Sequence, residues 1–203
     1  MKEYMKNIIF DFGKVLVEFN PHLLYDTVFK GDTEKAEWFN QNITTPEFYD
    51  NIDRGDDFGQ CIKNLQTEHP EYTEEISLYD TRYHDMVGKT MPGMPELLDD
   101  LKAQGYNLYG LTNWSYKVYA VLEKYPIFRK LTGSVISSEE HIVKPDKRIY
   151  QCLLDRFQLQ PEECLFVDDK QVNVDAAKAC GMHAILFNGA DQLRQDLQQL
   201  KVL

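Results

Sequence analysis

Three acidic residues each stand directly after a short apolar run, and their side chains could work together in one reaction. Asp11 follows residues 7–10, and Asp168 and Asp169 follow residues 164–167. A carboxylate at the end of a strand can attack phosphorus and form an aspartyl phosphate, which divides a hydrolysis into two easier steps. Because the nucleophile and a phosphate are both anionic, a cation must lie between them, and oxygen ligands of this kind suit Mg²⁺.

A hydroxyl, an amide and one lysine follow two further apolar runs. Thr112 and Asn113 come after residues 106–111, and Lys144 lies in the loop after residues 134–137. We expect Thr112 and the backbone amide of Asn113 to lie where a helix begins, because free N–H groups there bind phosphate. Lys144 would bind the same phosphate oxygens and balance the charge of the nucleophile. One lysine does not offset three acids and a phosphate, which again predicts a bound cation.

Alternating strand and helix patterns predict the scaffold that positions these residues. We expect strands at 7–10, 106–111, 134–137, 164–167 and 184–187, with helices at 95–104, 146–158, 171–180 and near the C-terminus. Repeated strand–helix units are typical of an α/β fold with a doubly wound, Rossmann-like parallel sheet and helices on both faces. Ligands bind beyond the carboxyl ends of the strands in such sheets, which is where the residues named above would lie.

A helical insertion interrupts this alternation after the first strand. Over residues 21–87 apolar side chains recur at helical spacing, and the pattern indicates no strand. We therefore expect an all-helical cap domain at residues 17–89, inserted into a core domain formed by residues 1–16 and 90–203. Closure of such a cap over the site would exclude water from the reaction.

Composition excludes several classes of function. The 203 residues include 22 Lys and Arg against 33 Asp and Glu, which gives a formal net charge of −11. An acidic chain without a basic run lacks the footprint required for binding nucleic acid or an anionic membrane surface. No apolar stretch approaches the roughly 20 residues of a spanning helix, so we expect a soluble, cytoplasmic protein. The four cysteines are well separated and are expected to be buried free thiols.

Taken in order, four segments of the chain resemble the four motifs of the haloacid dehalogenase superfamily. The segments are residues 8–15 (IIFDFGKV), 111–113 (LTN), 143–146 (VKPD) and 166–169 (FVDD), the last followed by Asn173. The closest likeness is to the cap-bearing branch that includes bacterial sugar-1-phosphate phosphatases and the phosphatase half of soluble epoxide hydrolase. The resemblance spans essentially the whole chain, because the helical insertion lies where that branch places its cap.

The resemblance implies a role for each motif residue. Asp11 is the expected nucleophile, and Asp11, the backbone carbonyl of Gly13 and Asp169 match the ligands of Mg²⁺ in the family. Asp168 is expected either to accept a hydrogen bond from the motif lysine or to support the metal through water. Asn173 stands where relatives often carry a further acid, and we expect it to lie behind the ligands and orient them.

The sequence departs from the family pattern at Gly13. Most phosphatases of the superfamily carry an acid two residues after the nucleophile, which protonates the leaving group and later activates water. Members of the sugar-1-phosphate group likewise show glycine here, which suits leaving groups that need little help, such as those of anomeric sugar phosphates or acyl phosphates. Alternatively the cap side supplies a replacement, for which Glu18, His22 and Lys14 are the nearest candidates, or the protein binds phosphate without turning it over.

These features together predict a Mg²⁺-dependent phosphatase that acts on small phosphorylated metabolites, sugar phosphates among them. Two alternatives stay open. A 2-haloacid dehalogenase also lacks the second acid of the first motif, but it needs no metal, and its relatives place a serine where this chain has paired acids. A binding module for metal and phosphate is the other. Phe12 is expected to pack in the core, whereas Trp114 beside the site and Arg54 in the cap could contact substrate.

Overall fold

The strands of the protein are short, and most of them belong to one sheet. The computed structural model describes residues 5–203, so residues 1–4, which we assigned to the core domain, lie outside the described residues. Within that range the strands are β1 (Asn7–Phe10), β2 (Val17–Phe19), β3 (Val87–Thr90), β4 (Asn107–Thr112), β5 (Gly133–Ile136), β6 (Cys164–Asp168) and β7 (His183–Leu186).

Helices cover both faces of that sheet and fill the insertion. They are α1 (His22–Val28), α2 (Thr33–Asn42), α3 (Pro46–Asp53), α4 (Phe58–Glu68), α5 (Thr73–Thr81), α6 (Met94–Ala103), α7 (Val118–Lys124), α8 (Ser137–Glu140), α9 (Lys147–Phe157), α10 (Gln171–Ala179) and α11 (Ala190–Gln199). No helix in residues 5–203 is both long and apolar enough to cross a membrane.

The main sheet is parallel, with the strand order β5-β4-β1-β6-β7. Every residue of β1 and β6 is buried, as expected for strands that are covered by helices on both faces. The chain adds strands on one side of β1 and then returns to add them on the other. This order confirms the predicted doubly wound sheet, and it sets the carboxyl ends of β4, β1 and β6 side by side at the switch point.

Alternate residues of β1 serve the two hydrophobic cores on either face of the sheet. Ile8 and Phe10 pack into the larger core, which continues into the cap, whereas Ile9 packs into the smaller core with α9 and α10. Phe12 is fully buried, and its ring centre lies 4.7 Å from that of Phe128. A Cβ at Gly110 of β4 would lie 2.3 Å from this ring, so only glycine allows Phe12 to pack there.

A small antiparallel ribbon of β2 and β3 joins the helical insertion to the core. Between these two strands the chain contains only α-helices, 3₁₀ turns and loops, which confirms the predicted helical cap. The Tyr125 hydroxyl of the core donates to the carbonyls of Val87 and Gly88, at 3.1 and 2.5 Å, and fastens the ribbon. The domain division that we predict, after residues 16 and 89, falls in this ribbon and stays a proposal.

The four cysteines are all free, but only Cys164 is fully buried, whereas Cys61, Cys152 and Cys180 are half-buried. The expectation of four buried thiols is therefore correct only for Cys164. Burial raises the pKa of each thiol, to about 12 for Cys164. A thiol with a raised pKa is a poor nucleophile near neutral pH, so these side chains are not suited to catalysis.

Candidate active site

The three predicted carboxylates converge at the carboxyl ends of β1 and β6. One oxygen atom from each of Asp11, Asp168 and Asp169 lies within 4.8 Å of the other two. Strand pairing causes this, because Phe10 lies opposite Val167 and the Asp11 N–H donates to the Val167 carbonyl at 2.9 Å. The chain therefore turns out of both strands at the same level and leaves the acids as neighbours.

Lys144 is buried among these groups and contacts three neighbouring strand ends. Its Nζ lies 3.0 Å from Asp11 Oδ1 and 2.7 Å from Asp168 Oδ2, and it donates to the Leu111 carbonyl at 2.8 Å. Only 4% of the residue is exposed. All three donors of the ammonium group are therefore used, and the lysine ties β1, β4 and β6 together at the site.

The side chain of Asn113 holds the lysine loop in place. Its Oδ1 accepts from the Lys144 N–H at 2.7 Å, and its Nδ2 donates to the Lys144 carbonyl at 3.0 Å. The prediction that a helix begins at Asn113 is wrong, because α7 begins only at Val118. The intervening backbone is engaged elsewhere, since the Trp114 N–H donates to Ser137 Oγ at 3.0 Å.

Thr112 is the last residue of β4, next to β1, and its hydroxyl is buried without a partner. The residue is 1% exposed, and Oγ1 has no hydrogen bond to any part of the chain that the structure describes. A buried polar atom left unpaired costs about 1–3 kcal/mol. An oxygen atom of a ligand at the site could form a hydrogen bond with this hydroxyl. The contact between Thr112 and phosphate stays a prediction, with which the unpaired hydroxyl is compatible.

Asp168 is fixed by hydrogen bonds from several directions. Asn173 Nδ2 donates to both oxygens of its carboxylate, at 2.9 and 3.0 Å, and the Lys170 N–H donates to Oδ1 at 2.8 Å. Lys144 Nζ also donates to Oδ2 of Asp168. Accepting a hydrogen bond from the lysine was one of the two roles expected of Asp168. Asn173 therefore orients Asp168, which in turn orients the lysine.

The site carries more negative charge than its lysine offsets. Burial, reinforced by Asp168 and Asp169, raises the pKa of Asp11 to about 6 although Lys144 opposes the shift. Burial and Asp168 likewise raise the pKa of Asp169. Burial disfavours the charge of Lys144, but Asp11 and Asp168 outweigh this and raise its pKa. Three clustered carboxylates with one ammonium group are a donor set that fits a hard divalent cation such as Mg²⁺.

Gly13 lies two residues beyond Asp11 against an aromatic wall. A Cβ built on it would be 3.6 Å from Phe19 Cβ and 3.7 Å from the Trp114 ring. These two rings pack edge to face, with centres 5.4 Å apart. Trp114 is buried in this wall, and its indole N–H has no partner among residues 5–203.

The three residues considered as replacements for the missing acid lie in β2, at the start of α1 and three residues after the nucleophile. Glu18 packs over Gly88 in the ribbon, where its Oε2 would be 2.2 Å from a Cβ. His22 lies on the cap surface, with its ring nitrogens 2.8 Å from Asp26 and 2.7 Å from Glu37. Lys14 is exposed on the core side of the ribbon. None of the three makes a hydrogen bond or ion pair with Asp11.

Sequence reasoning missed the residues that dock the cap on the core. Ser137 Oγ donates to the carbonyl of Asp53, the last residue of α3, at 2.5 Å. His141 Nδ1 lies 3.0 Å from the carbonyl of Arg54, and Arg54 is an exposed residue. The sequence placed Ser137 within a strand and singled out Arg54 in this turn. A serine as the last residue of a predicted strand was the signal that was available.

Comparison with known proteins gives a family match over most of the chain. A family model described as haloacid dehalogenase-like hydrolase matches residues 5–181. Sesquiterpene phosphatase astK of Aspergillus oryzae is 29% identical over 96% of both chains. Flavin mononucleotide hydrolase 1 of Arabidopsis thaliana is 30% identical over 55% of this chain and 46% of its own. Acyl-CoA dehydrogenase family member 10 of Mus musculus is 28% identical over 95% of this chain, which spans 19% of that protein.

Solved structures share the fold at lower identity. An Asp12Ala mutant of a HAD family enzyme from Bacteroides thetaiotaomicron, in complex with magnesium and inorganic phosphate, has a TM-score of 0.70 at 16% identity and covers 91% of this chain and 95% of its own. A dehalogenase has a TM-score of 0.71 at 20% identity and covers 93% of this chain and 87% of its own.

Proposed function

Because the chain belongs to the haloacid dehalogenase-like hydrolases, we propose that it is a Mg²⁺-dependent phosphatase that hydrolyses small phosphomonoesters through an aspartyl phosphate. The observation that carries the proposal is the cluster of Asp11, Asp168 and Asp169 around Lys144. Displacement of halide at carbon needs no such excess of acids. Hydrolysis of a phosphate ester needs both a carboxylate nucleophile and oxygen ligands for a cation.

Asp11 is the proposed nucleophile. Its carboxyl group has a pKa of about 6, so that it is ionised and able to attack above that pH. Lys144, 3.0 Å away, stabilises the ionised form and fixes its orientation. In the first step an Asp11 oxygen bonds to phosphorus as the ester oxygen leaves. In the second step water attacks the aspartyl phosphate and regenerates the carboxylate.

The phosphate would be held by groups from two neighbouring loops. The unpaired hydroxyl of Thr112 and the ammonium group of Lys144 are the donors on which we base this assignment. The backbone amide of Asn113, next in the chain, is assigned as the third. Donors fixed before the substrate arrives stabilise the charge that develops on the phosphoryl oxygens at little cost in reorganisation.

Asp11, the backbone carbonyl of Gly13 and Asp169 would hold Mg²⁺. The ion would offset the charge that the carboxylates and the phosphate bring together. Asp168, bound by Asn173 and Lys144, would position the lysine. The solved relative that binds magnesium and inorganic phosphate supports this choice of metal.

The substrates that we propose are small phosphorylated metabolites. Two of the relatives reported above are named for a sesquiterpene phosphatase and a flavin mononucleotide hydrolase, which supports a small organic phosphate. The earlier resemblance to sugar-1-phosphate phosphatases adds sugar phosphates to the classes to be tried. A dehalogenase, which shares the fold, is the alternative that the same experiment addresses.

A phosphate-release screen tests the proposal. Sugar phosphates and aryl phosphates are offered with Mg²⁺ or with a chelator, and Asp11→Asn is compared with Asp191→Asn, an exposed residue of α11. We expect release that requires Mg²⁺, falls by at least about 10³-fold in Asp11→Asn, and persists in Asp191→Asn. Phosphate release that survives both the chelator and Asp11→Asn contradicts the mechanism, and metal-independent halide release from 2-haloacids favours the dehalogenase.

A further inference from the structure

We propose that Asp53 of the cap donates a proton to the leaving group and so supplies the acid that the chain lacks at Gly13. This role presupposes the phosphatase reaction proposed above and adds a catalytic residue to it. Asp53 ends α3, and the docking of the cap brings its backbone against Ser137, beside the loop that follows Thr112. Nothing in its local sequence marks it for this role.

Residue 13, two positions after the nucleophile, is a glycine and has no side chain that could serve as an acid. Phe19 and Trp114 begin at 3.6 and 3.7 Å from a Cβ placed on Gly13, and their rings lie against each other beyond it. An acid that serves the leaving group must come from another segment, and the cap docks the end of α3 beside the loop that follows Thr112.

Three contacts fix the turn after α3 against the core. Ser137 Oγ donates to the Asp53 carbonyl at 2.5 Å, and His141 lies 3.0 Å from the Arg54 carbonyl. Gly55 approaches so closely that a Cβ on it would lie 2.5 Å from the Ser138 carbonyl. The same Ser137 hydroxyl accepts the N–H of Trp114. One serine therefore links the backbone of Asp53 to the loop that follows Thr112.

The Asp53 carboxyl group lies at the interface between the cap and the core. The residue is half-buried in the interface. Its electrostatic neighbours come from both parts of the chain, namely Asp11, Lys170 and the Ser115 N–H of the core and Asp50, Tyr49, Tyr79 and Tyr83 of the cap. Because charges at the ends of β1 and β6 act on Asp53, we place its carboxyl group on the side of the cap that faces these strand ends.

These neighbours also keep a proton available on Asp53. Burial raises its pKa to about 7, and the charges of Asp50 and Asp11 add to the shift while Lys170 and the Ser115 N–H oppose it. The tyrosines present neutral hydroxyls, because burial raises the pKa of each of them. An acid with a pKa near the working pH can both give a proton and take one back within a turnover.

As the Asp11 oxygen bonds to phosphorus, the bond from phosphorus to the ester oxygen breaks and its electron pair stays on that oxygen. The proton of Asp53 moves to the same oxygen, so that a neutral alcohol leaves and Asp53 becomes a carboxylate. Water then bonds to phosphorus as the bond to Asp11 breaks, and Asp53 takes the proton from this water. Both carboxyl groups return to their starting states.

Two esters of similar shape and very different leaving groups test the role of Asp53. Nitrophenolate, from p-nitrophenyl phosphate, leaves without a proton, whereas the benzyl alkoxide of benzyl phosphate needs one. In Asp53→Asn we expect kcat/KM to fall about 10²–10³-fold with benzyl phosphate and less than about tenfold with p-nitrophenyl phosphate. Turnover of the nitrophenyl ester shows at the same time that the variant is folded. Glu47→Gln, at the exposed start of α3, should match wild type with both esters.

The pH profile gives an independent measurement. For wild type and benzyl phosphate, kcat/KM should fall as the pH rises through about 7, because protonated Asp53 is required, and this fall should be absent in Asp53→Asn. Asp53→Glu should recover part of the activity. Three results overturn the role of Asp53 alone. They are an equal loss of kcat/KM on the two esters in Asp53→Asn, no loss of kcat/KM on either ester, and a wild type that hydrolyses only the nitrophenyl ester. A wild type that is inert towards both esters with Mg²⁺ overturns the proposed phosphatase as well.

Discussion

Lys144 is the residue on which the geometry of the candidate site depends most. It contacts the carboxylates of Asp11 and Asp168 and the end of β4, and Asn113 holds its backbone on both sides. A buried charge is tolerated only when partners surround it. The lysine and the two acids therefore stabilise one another. Removal of any one of them leaves the others buried without a partner, which destabilises the folded state.

We predict that Lys144→Ala is strongly destabilised. Removing the ammonium group leaves two buried carboxylates unpaired, which costs about 3–5 kcal/mol. The loss should be larger at pH 8 than at pH 5, because Asp11, whose pKa is raised by burial, can be protonated at low pH and then carries no charge. Urea denaturation at both pH values measures the free energy of unfolding. Lys147→Ala, at the exposed start of α9, should change it by less than about 0.5 kcal/mol, and a Lys144→Ala protein as stable as wild type at pH 8 contradicts the prediction.

The acidic residues of the site could be predicted because they stand where two strands end. The end of an apolar run is enough to predict the positions of Asp11 and Asp169, and β1 and β6 end where the sequence indicated. The function of the Asn113 side chain could not be predicted, since its partners on Lys144 are 31 residues away in the chain. Asp53 was missed for a related reason, because an acid at a helix end has no local signal for what the helix packs against.

At the scale of elements, the contact between α3 and α8 decides how the cap sits on the sheet. Ser137, the first residue of α8, is fully buried and joins the Asp53 carbonyl to the Trp114 N–H. The helical character of the cap could be predicted from its apolar periodicity. Its docking could not, because it depends on single hydrogen bonds between segments that are 84 and 23 residues apart in the sequence.

We predict that Ser137→Ala loosens this contact. The change leaves the buried Trp114 N–H and the Asp53 carbonyl without their partner, which costs about 1–3 kcal/mol. Amides at the end of α3 and in the turn that follows should then exchange their hydrogens faster, as measured by mass spectrometry under native conditions. Ser138→Ala, at the next residue and half-buried, should exchange like wild type. Unchanged exchange in Ser137→Ala would show that the serine does not hold the cap.

At the scale of the whole molecule, the net charge of −11 matters through the few acids that converge on one sheet edge. Asp11 has a pKa of about 6 in the folded protein against an ordinary value of 3.8. An acid with a raised pKa costs the folded state stability as the pH rises from the lower value through the higher one. Metal-free protein should therefore become less stable between about pH 4 and pH 6 on account of this site.

Mg²⁺ should reverse this loss, because it binds the ionised carboxylates. At a concentration about 100 times its Kd, a ligand stabilises the folded state by about 2.7 kcal/mol, which corresponds to a rise in Tm of roughly 5–10 °C for a chain of this size. Thermal melting at pH 8 and pH 5 measures the effect, which should be large at pH 8 and small at pH 5. Asp11→Asn should lose the rise and Asp191→Asn should keep it. A rise that is equal at both pH values, or one that Asp11→Asn retains, contradicts a metal site at these residues.

The most direct test of the central claim is to capture the covalent intermediate. Protein mixed with Mg²⁺ and the best phosphomonoester of the screen is quenched in acid within the first turnovers, digested and mapped by mass spectrometry. We predict a phosphoryl group on the peptide that contains Asp11, and none on that peptide in Asp11→Asn. Rapid phosphate release by the wild type without any phosphoryl group on Asp11 would contradict the mechanism.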